Sequence, residues 1–320
     1  MPSNDPTHAA ATGTVTDPAH GAATDAVTDP THGAATDAVT DPTHGAATAA
    51  VTTALLAGIA RGVRTVDLGQ PLFTGMPCSP NHPGFRMALT RRHGDTLRPD
   101  GGSASSELIV TGGHVGTHID ALAHVSHDGR LHGGVDAAAA QAGGSFARHG
   151  AEHIPPLVTR AVLLDVAAVH GVDVLPAGYG VTRQDLADAA ERAGVLPGPG
   201  DVALVRTGWA RTFADPVAYL GHASGVPGVT VEAAGWLAAR AVAATGADTT
   251  AYEQIPAGDG HRVLPVHRLL LVEHGIYLME HLNLEQAAAE GLTEFVIVVA
   301  PLRIVGGTGS PIRPVAVVGA

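Results

Sequence analysis

The segment G113-H-V-G-T-H-I-D-A-L-A-H-V125 carries three histidines and an aspartate within eleven positions, and the rest of the chain is interpreted around it. His118 and Asp120 are two residues apart, so in an extended segment their side chains face the same side. Gly116 permits a tight turn that can bring His114 round to join them. Two imidazoles and one carboxylate suit Zn²⁺ or Mn²⁺ and leave positions open for water. The segment therefore predicts a metal site with one or two divalent ions.

The last histidine of the segment has a different predicted role. If Asp120 begins a helical turn, His124 lies four residues further on and points the same way, close enough to exchange a proton with a water in the site. We therefore predict that His124 is the catalytic acid/base and not a ligand. The alternative is a His-rich loop with scattered surface or core imidazoles. The strand-like E107-L-I-V-T-G112 directly before the segment favours the functional interpretation.

Residues 5–52 contain four copies of a twelve-residue unit, which is clearest as DPTHGAATDAVT over residues 29–40. Ala, Thr, Gly, Asp and Pro supply almost no large apolar surface, so burial would not offset the entropy of ordering. We predict a disordered low-complexity tail over residues 1–53 and one catalytic domain over residues 54–320. Each repeat carries one His, which leaves open a non-enzymatic alternative, a metal-binding or storage protein that uses its tail.

Charge and composition exclude several classes of protein. The net charge is −12, and all 18 basic residues are Arg, which argues against nucleic acid as a partner. Beyond the repeats, 24 acids stand against the 18 Arg, a balance of −6. No apolar run approaches the ~20 residues that cross a bilayer, and the pattern of a secretory signal is missing, so we expect a cytoplasmic protein without a membrane partner. The single cysteine, Cys78, excludes an internal disulfide framework and a Cys-rich zinc site.

Alternating strand-like and helix-like segments after the repeats predict a mixed α/β domain. The candidate strands are rich in Val, Ile and Leu and bounded by Gly or Pro: Arg64–Leu68, Leu108–Thr111, Ala161–Val166, Val202–Thr207, Phe295–Ala300 and Pro314–Val318. One helix is predicted to begin at Thr182, with Asp185 completing a capping box. Another is predicted to run from near Thr230 to about Ala244, before Gly246.

The histidine segment resembles the H-x-G-T-H-x-D-x-P-x-H signature of the cyclase family, which includes bacterial kynurenine formamidase and isatin hydrolase. It agrees with that signature at His114, Gly116, Thr117, His118, Asp120 and His124. It departs at Leu122, where the family has Pro, a position expected to shape the turn and bind no metal. Further similar segments follow the repeats: V66-D-L-G-Q-P-L-F-T-G-M-P77, V205-R-T-G-W209, V226-P-G-V229, G246-A-D-T249 and H267-R-L-L-L-V-E-H-G-I-Y-L-M-E280.

The resemblance implies a swivelling β/β/α domain with a mixed central sheet, assembled as a homodimer or homotetramer. It also implies that His267 and Glu280 complete a second metal position, with Asp120 and Glu280 able to bridge. The alternative is that His267 is a surface cap and Glu280 a salt-bridge partner.

The resemblance also points to residues that would line the substrate pocket. The loop near Cys78 is expected to contribute to it, and Phe73 and Trp209 are candidates for an aromatic lining. Plain core packing is the alternative for the aromatic residues.

Taken with the resemblance, the sequence predicts a metal-dependent hydrolase of a small amide, lactam, formamide or ester carbonyl, in which a metal-activated water attacks and His124 moves the proton. The alternative reaction is ring closure or dehydration of a polycarbonyl metabolite at the same site. The motifs G-x-S-x-G, G-x-x-x-x-G-K and H-E-x-x-H are missing. G198-P-G-D-V-A203 imitates a dinucleotide-binding turn but leads into a strand, so we discard it.

Overall fold

The computed structural model describes residues 57–141 and 143–319. The repeats of residues 5–52 and the predicted disordered tail over residues 1–53 lie outside the described residues. Within the described ranges, no helix combines the length and the apolar character that crossing a bilayer requires.

A mixed sheet dominates the described part of the chain, with the strand order β1-β13-β11-β5-β7-β9-β10-β4-β12. Its strands, numbered in chain order, are β1 Val63–Asp67, β4 His118–Asp120, β5 Leu157–Asp165, β7 Val202–Arg206, β9 Ala244–Ala247, β10 Tyr277–Glu280, β11 Glu294–Val299, β12 Gly309–Pro311 and β13 Val315–Gly319. Two short ribbons accompany the sheet: β2 Arg86–Arg91 with β3 Ser106–Val110, and β6 Gly180–Val181 with β8 Gly228–Val229.

The centre of the sheet is parallel, and its two sides are antiparallel. Neighbours among β5, β7, β9 and β10 pair in parallel, whereas β4 pairs antiparallel with both β10 and β12. Every residue of β7 is buried, as expected for a strand covered on both faces. The predicted mixed α/β fold with a mixed central sheet is therefore confirmed, and all six predicted strands overlap strands of the structure.

The helices are mostly short. They are α1 Ala137–Ala140, α2 Val166–Val169, α3 Arg183–Ala193, α4 Pro216–Leu220, α5 Val231–Ala238, α6 Pro265–His267 and α7 Glu285–Ala289, with 3₁₀ turns at His132–Gly134, Ala151–His153 and Trp209–Thr212 and a π-helix at Arg268–His274. The capping box predicted for α3 is present, because the Thr182 hydroxyl accepts from the Asp185 amide and the Asp185 carboxylate accepts from the Thr182 amide.

The helix predicted from near Thr230 to about Ala244 is too long. The structure ends α5 at Ala238 and places Ala244–Ala247 in β9. This four-residue strand is buried and pairs on one side with β7 and on the other with β10. Two strand partners outweigh the helical propensity of an Ala-rich stretch, a tertiary preference that the local pattern does not contain.

Successive residues of the central strands alternate between two hydrophobic cores. In β5, Val162 and Leu164 join the core that contains α3 and α5, whereas Ala161 and Leu163 join the core on the other face. Ile119, in the middle of β4, packs into the second of these cores. The two residues beside it therefore project to the opposite face of the sheet.

Candidate metal centre

The register of β4 against β10 brings three predicted ligands to one face of the sheet. Glu280 lies directly opposite His118, and Leu278 lies opposite Asp120. Residues that face each other across an antiparallel pair project to the same side, so His118, Asp120 and Glu280 share one face. His118 Nε2 lies 3.5 Å from Glu280 Oε2 and 3.5 Å from Asp120 Oδ1.

A turn before β4 brings a fourth predicted ligand, His114, to the same place. Gly116 has φ +66°, and a Cβ at this position would lie 2.5 Å from Leu72 Cδ2, so the turn needs glycine for both conformation and space. The turn places His114 Nδ1 2.7 Å from Asp120 Oδ1. His118 Nδ1 lies 2.8 Å from the Gly116 carbonyl oxygen and donates to it, which leaves His118 Nε2 facing the cluster.

His267 enters the cluster from the end of α6. Its Nε2 lies 3.1 Å from Glu280 Oε1 and 3.6 Å from Asp120 Oδ2. Asp120 and Glu280 thus each direct one oxygen towards His118 and the other towards His267. The two carboxylates therefore lie between the two imidazoles, and their implied role in bridging two metal positions stays a prediction.

The orientation of His267 is set by Glu253, a buried residue that the sequence did not single out. Glu253 Oε1 lies 2.6 Å from His267 Nδ1 and accepts a hydrogen bond from it, so Nε2 is the nitrogen that faces Glu280 and Asp120. The same carboxylate accepts the backbone N–H groups of Val266 and His267 at 3.1 Å each. It thereby satisfies amides of the first turn of α6 that have no partner within the helix.

The donor set fits a divalent cation. Asp120 Oδ2 is fully buried, and no hydrogen bond to it is found among residues 57–141 and 143–319. A buried carboxylate oxygen without a hydrogen bond is costly to remove from water, and a bound cation would offset that cost. One donor atom each from His114, His118 and Asp120 lies within 4.8 Å of the other two. Imidazole nitrogens and carboxylate oxygens are ligands that Zn²⁺ and Mn²⁺ accept.

His124 reaches the cluster, but not by the predicted route. Asp120 ends β4 and begins no helix; a tight turn follows, in which the His124 amide donates to the Ala121 carbonyl at 2.9 Å. The His124 ring stacks on His114 with centroids 3.9 Å apart. Donor atoms of Asp120, His124 and His267 lie within 4.8 Å of one another, so the side chain stands beside the carboxylate as predicted.

Burial and charge act in opposite directions on the ligand histidines. Burial lowers the pKa of His118, but the hydrogen bond and charge of Asp120 outweigh it, so the pKa is raised above its ordinary value. Burial likewise opposes protonation of His267, but the hydrogen bond to Glu253 outweighs it and holds the pKa of His267 well above the ordinary range.

Asp120 and His124 shift the other way. Burial raises the pKa of Asp120, but its contacts with the neighbouring histidines, including the hydrogen bonds with His114 and His118, outweigh it, and the pKa of this carboxyl lies well below the ordinary value. Burial lowers the pKa of His124 to about 3, with the attraction of Asp120 too weak to restore it. His124 is therefore a neutral imidazole at neutral pH, the form that can accept a proton.

A cavity of ≈ 200 Å³ opens beside the cluster. Its walls carry an unusual share of histidines: His82, His114, His118, His124, His261, His267 and His281. Ser79, Asn81 and Thr250 add further polar groups to the walls. The cavity therefore offers a small substrate several hydrogen-bonding partners.

The three residues predicted to line the substrate pocket are not among those that line this cavity in the described part of the chain. Trp209 is 6% exposed and its indole N–H donates to the Tyr219 carbonyl at 2.8 Å, so it serves the core. Phe73 is 43% exposed and packs edge-on against Phe213. Cys78 is half-buried, and its thiol lies 3.5 Å from the carbonyl oxygen of His82, in the loop that also carries Ser79. Trp209 therefore packs in the core, which was the alternative prediction for the aromatic residues.

Four titratable residues that line the cavity or support its walls were not predicted: His82, Glu253, His261 and His281. Each stands alone in the sequence, without a ligand-like spacing to a neighbour. His281 had one available signal, because it follows Glu280 directly. The other three reach the site through loops whose course the local pattern does not reveal.

Comparisons with known proteins agree with this geometry. A model of the family described as "Putative cyclase" matches residues 66–254. An isatin hydrolase from Roseibium aggregatum is 31% identical over 127 residues, which are 38% of this chain and 46% of that protein, so the match spans about half of the relative's length. Among solved structures, one titled a novel cyclase has a TM-score of 0.72 at 28% identity, covering 82% of this chain and 91% of its own. Isatin hydrolase A from Ralstonia solanacearum has a TM-score of 0.64 at 26% identity, covering 84% and 97%. Because the family model spans more than half of the sequence, and its residues include the whole histidine segment, the chain belongs to the cyclase family.

Proposed function

We propose that the protein is a metal-dependent hydrolase that adds water to the carbonyl of a small amide, lactam, formamide or ester. The observation that carries this proposal is the pair of carboxylates, Asp120 and Glu280, each shared between His118 and His267. The similarity to isatin hydrolases supports a hydrolytic reaction.

In this proposal, His114, His118, Asp120 and Glu280 hold one divalent cation, Zn²⁺ or Mn²⁺. His267 shares the two carboxylates and offers a position for a second. A divalent cation in such a site lowers the pKa of a water and polarises a substrate carbonyl.

The protein's own contribution to proton transfer comes from His124. Its imidazole is neutral at neutral pH, because burial lowers its pKa to about 3. A neutral imidazole takes the proton of the attacking water and returns it to the departing nitrogen or oxygen. Asp120 lies within 4.8 Å of the His124 donor atom, and its negative charge stabilises the imidazolium that forms in between.

The proposal also covers assembly and domain organisation. Large apolar side chains of the β2–β3 ribbon, among them Met87, Leu108 and Ile109, are each more than half exposed, which supports a homodimer or homotetramer. Sedimentation equilibrium tests this, with a monomer as the contradicting result.

In the same proposal, residues 54–320 are the catalytic domain of a cytoplasmic enzyme. Its partner is a small molecule, and no nucleic acid or membrane is involved.

The decisive experiment has two stages. Elemental analysis of the protein as purified should find one or two equivalents of Zn or Mn per chain. A screen of formyl-arylamines, isatin, lactams and lactones with that metal present should then find turnover, and turnover in ¹⁸O-labelled water should place the label in the product. A product without label would favour ring closure or dehydration over hydrolysis. Absence of bound metal would contradict the proposal altogether.

A further inference from the structure

His281 follows Glu280 directly and has three features that are seldom combined in one residue. Its side chain is 4% exposed, its backbone φ is +54°, and its ring lines the cavity. The ring nitrogen Nδ1 is fully buried, and no hydrogen bond to it is found within the described residues. A buried imidazole without a partner calls for an explanation, because most buried polar groups are paired.

The backbone conformation adds a second cost. Positive φ is uncommon for residues other than Gly, although Asn, Asp and His are several-fold enriched among the exceptions. The surroundings hold His281 in this conformation from both sides: its amide donates to the Thr249 carbonyl at 2.9 Å, and its carbonyl accepts from the Thr117 hydroxyl at 2.6 Å. Strain that is held in place beside a candidate active site suggests a function.

Thr250 repeats the same feature on the same cavity. Its hydroxyl oxygen is buried and likewise lacks a hydrogen bond within residues 57–141 and 143–319. Thr250 is 3% exposed and lines the cavity together with His281. Two residues that each carry a buried polar atom without a hydrogen bond in the described part of the chain thus line one small cavity.

Their position relative to the ligands defines what they can bind. One donor atom each from His118, Glu280 and His281 lies within 4.8 Å of the other two. A group held between His118 and Glu280 would therefore lie close enough to His281 for a neighbouring atom of the same ligand to reach its ring. A neutral imidazole and a hydroxyl can each donate or accept, so the wall suits a carbonyl, a hydroxyl or an N–H.

Resting on the proposed function, we propose that His281 and Thr250 bind a second heteroatom next to the scissile carbonyl and so select substrates that carry a polar group beside it. A simple acyl compound leaves both side chains unpaired. The discrimination follows because a site built to hydrogen-bond a substrate group rejects an analogue that lacks it. His281 and Thr250 are substrate-contacting residues in this assignment, and not ligands.

Two hydroxamates test the proposal without turnover, because hydroxamates chelate divalent cations. Both chelate through the carbonyl and N–O oxygens, but on the other side of the carbonyl acetohydroxamate carries only a methyl group, whereas glycolohydroxamate carries a hydroxyl. Calorimetric titration of the cation-loaded full chain should give about tenfold tighter binding of glycolohydroxamate, the effect of one good hydrogen bond of roughly 1.4 kcal/mol. His281→Asn and Thr250→Val should bring the two dissociation constants to within about twofold, with that of acetohydroxamate unchanged.

Both variants are chosen to keep the fold. Asn tolerates positive φ, and Val is close in shape to Thr and removes a hydroxyl that has no protein partner, so the melting temperatures should not fall. His149→Asn is the matched control, because His149 also has a positive φ, +61°, but lies outside the cavity lining. It should leave both dissociation constants as in the wild type.

Four results would overturn the proposal. Equal binding of the two hydroxamates by the wild type would show that no second subsite exists. Loss of the cation from His281→Asn would make His281 a ligand. Equal weakening of both hydroxamates in the variants would assign the residues to general support of the site. Failure of the cation-loaded wild type to bind either hydroxamate would contradict the cation site of the proposed function itself, and the inference with it.

Discussion

Glu253 Oε1 accepts both the Nδ1 proton of His267, at 2.6 Å, and the backbone N–H of the same residue, at 3.1 Å. One carboxylate thus fixes the position of the residue and the orientation of its ring. It also determines the tautomer, so that Nε2 points at Asp120 and Glu280. Glu253 itself is 2% exposed and is not among the residues that line the cavity, which makes it a positioning residue for His267.

Glu253→Gln should weaken cation binding about 10–100-fold, the usual loss when a partner behind a ligating histidine is changed. The glutamine amide carries no charge, and its NH₂ group cannot accept a hydrogen bond from His267 Nδ1. Competition with a chelator of known affinity measures the change. Asp185→Asn is the control, since Asp185 is also a buried capping carboxylate, at the start of α3, but belongs to none of the candidate ligand groups. It should lower the melting temperature and leave the affinity unchanged; equal affinity of wild type and Glu253→Gln would contradict the assigned role.

His118→Ala and Asp120→Ala should lose the cation and melt at lower temperature. Each substitution removes a ligand and leaves the remaining carboxylate and imidazoles without their shared partner. A cation that binds only the folded protein stabilises it by about 2.7 kcal/mol at a free concentration of 100 Kd, and this contribution disappears with binding. His127→Ala, at a side chain that is 45% exposed on the following loop, should change neither quantity. Full cation occupancy in either ligand variant would refute the ligand assignment.

The sequence predicted the part of the site that one short segment carries. The spacing of His118 and Asp120 requires only that the segment be extended, and β4 is extended. Gly116 was read as a tight turn, and its φ of +66° agrees. His267 and Glu280 came from the resemblance to a family, and the antiparallel register of β4 with β10 places Glu280 opposite His118.

The rest depended on tertiary structure. Glu253 and His267 are separated by 13 residues in the sequence. The path of the loop between them brings the two side chains into contact. The same limit explains the helix wrongly extended to Ala244, because β9 exists only through its pairing with β7 and β10. Trp209 was predicted to line the pocket because it is aromatic. Its burial depends on the core around Tyr219, which the sequence alone does not show.

His124→Ala should keep the cation and the fold while losing roughly 10²–10⁴-fold in turnover, the usual contribution of a positioned acid/base. Elemental analysis, the melting temperature and kcat on the substrate found in the screen provide the three readouts. Cation loss would make His124 a ligand, an outcome that its closeness to Asp120 and His267 makes essential to check. Turnover near the wild-type level would mean that another group handles the proton, with Glu280 as the first suspect.

The stabilisation that the cation provides should increase with pH from about 6 to 9. In the cation-free protein the pKa of His118 is raised and that of His267 is well above the ordinary value of about 6.5, so both hold protons that a cation must displace. Because the pKa values of His118 and His267 are higher in the folded than in the unfolded protein, their protonation stabilises the cation-free fold. This stabilisation is complete below about pH 6.5 and is lost as the pH rises through the folded-state pKa values. Both effects widen the gap between the melting temperatures of cation-loaded and cation-free protein as the pH rises. Scanning calorimetry on matched samples across this range measures the gap, and calorimetric titration in buffers of different ionisation enthalpy counts the protons released. A gap that stays constant, together with no proton release at pH 6, would show that His118 and His267 do not exchange protons for the cation.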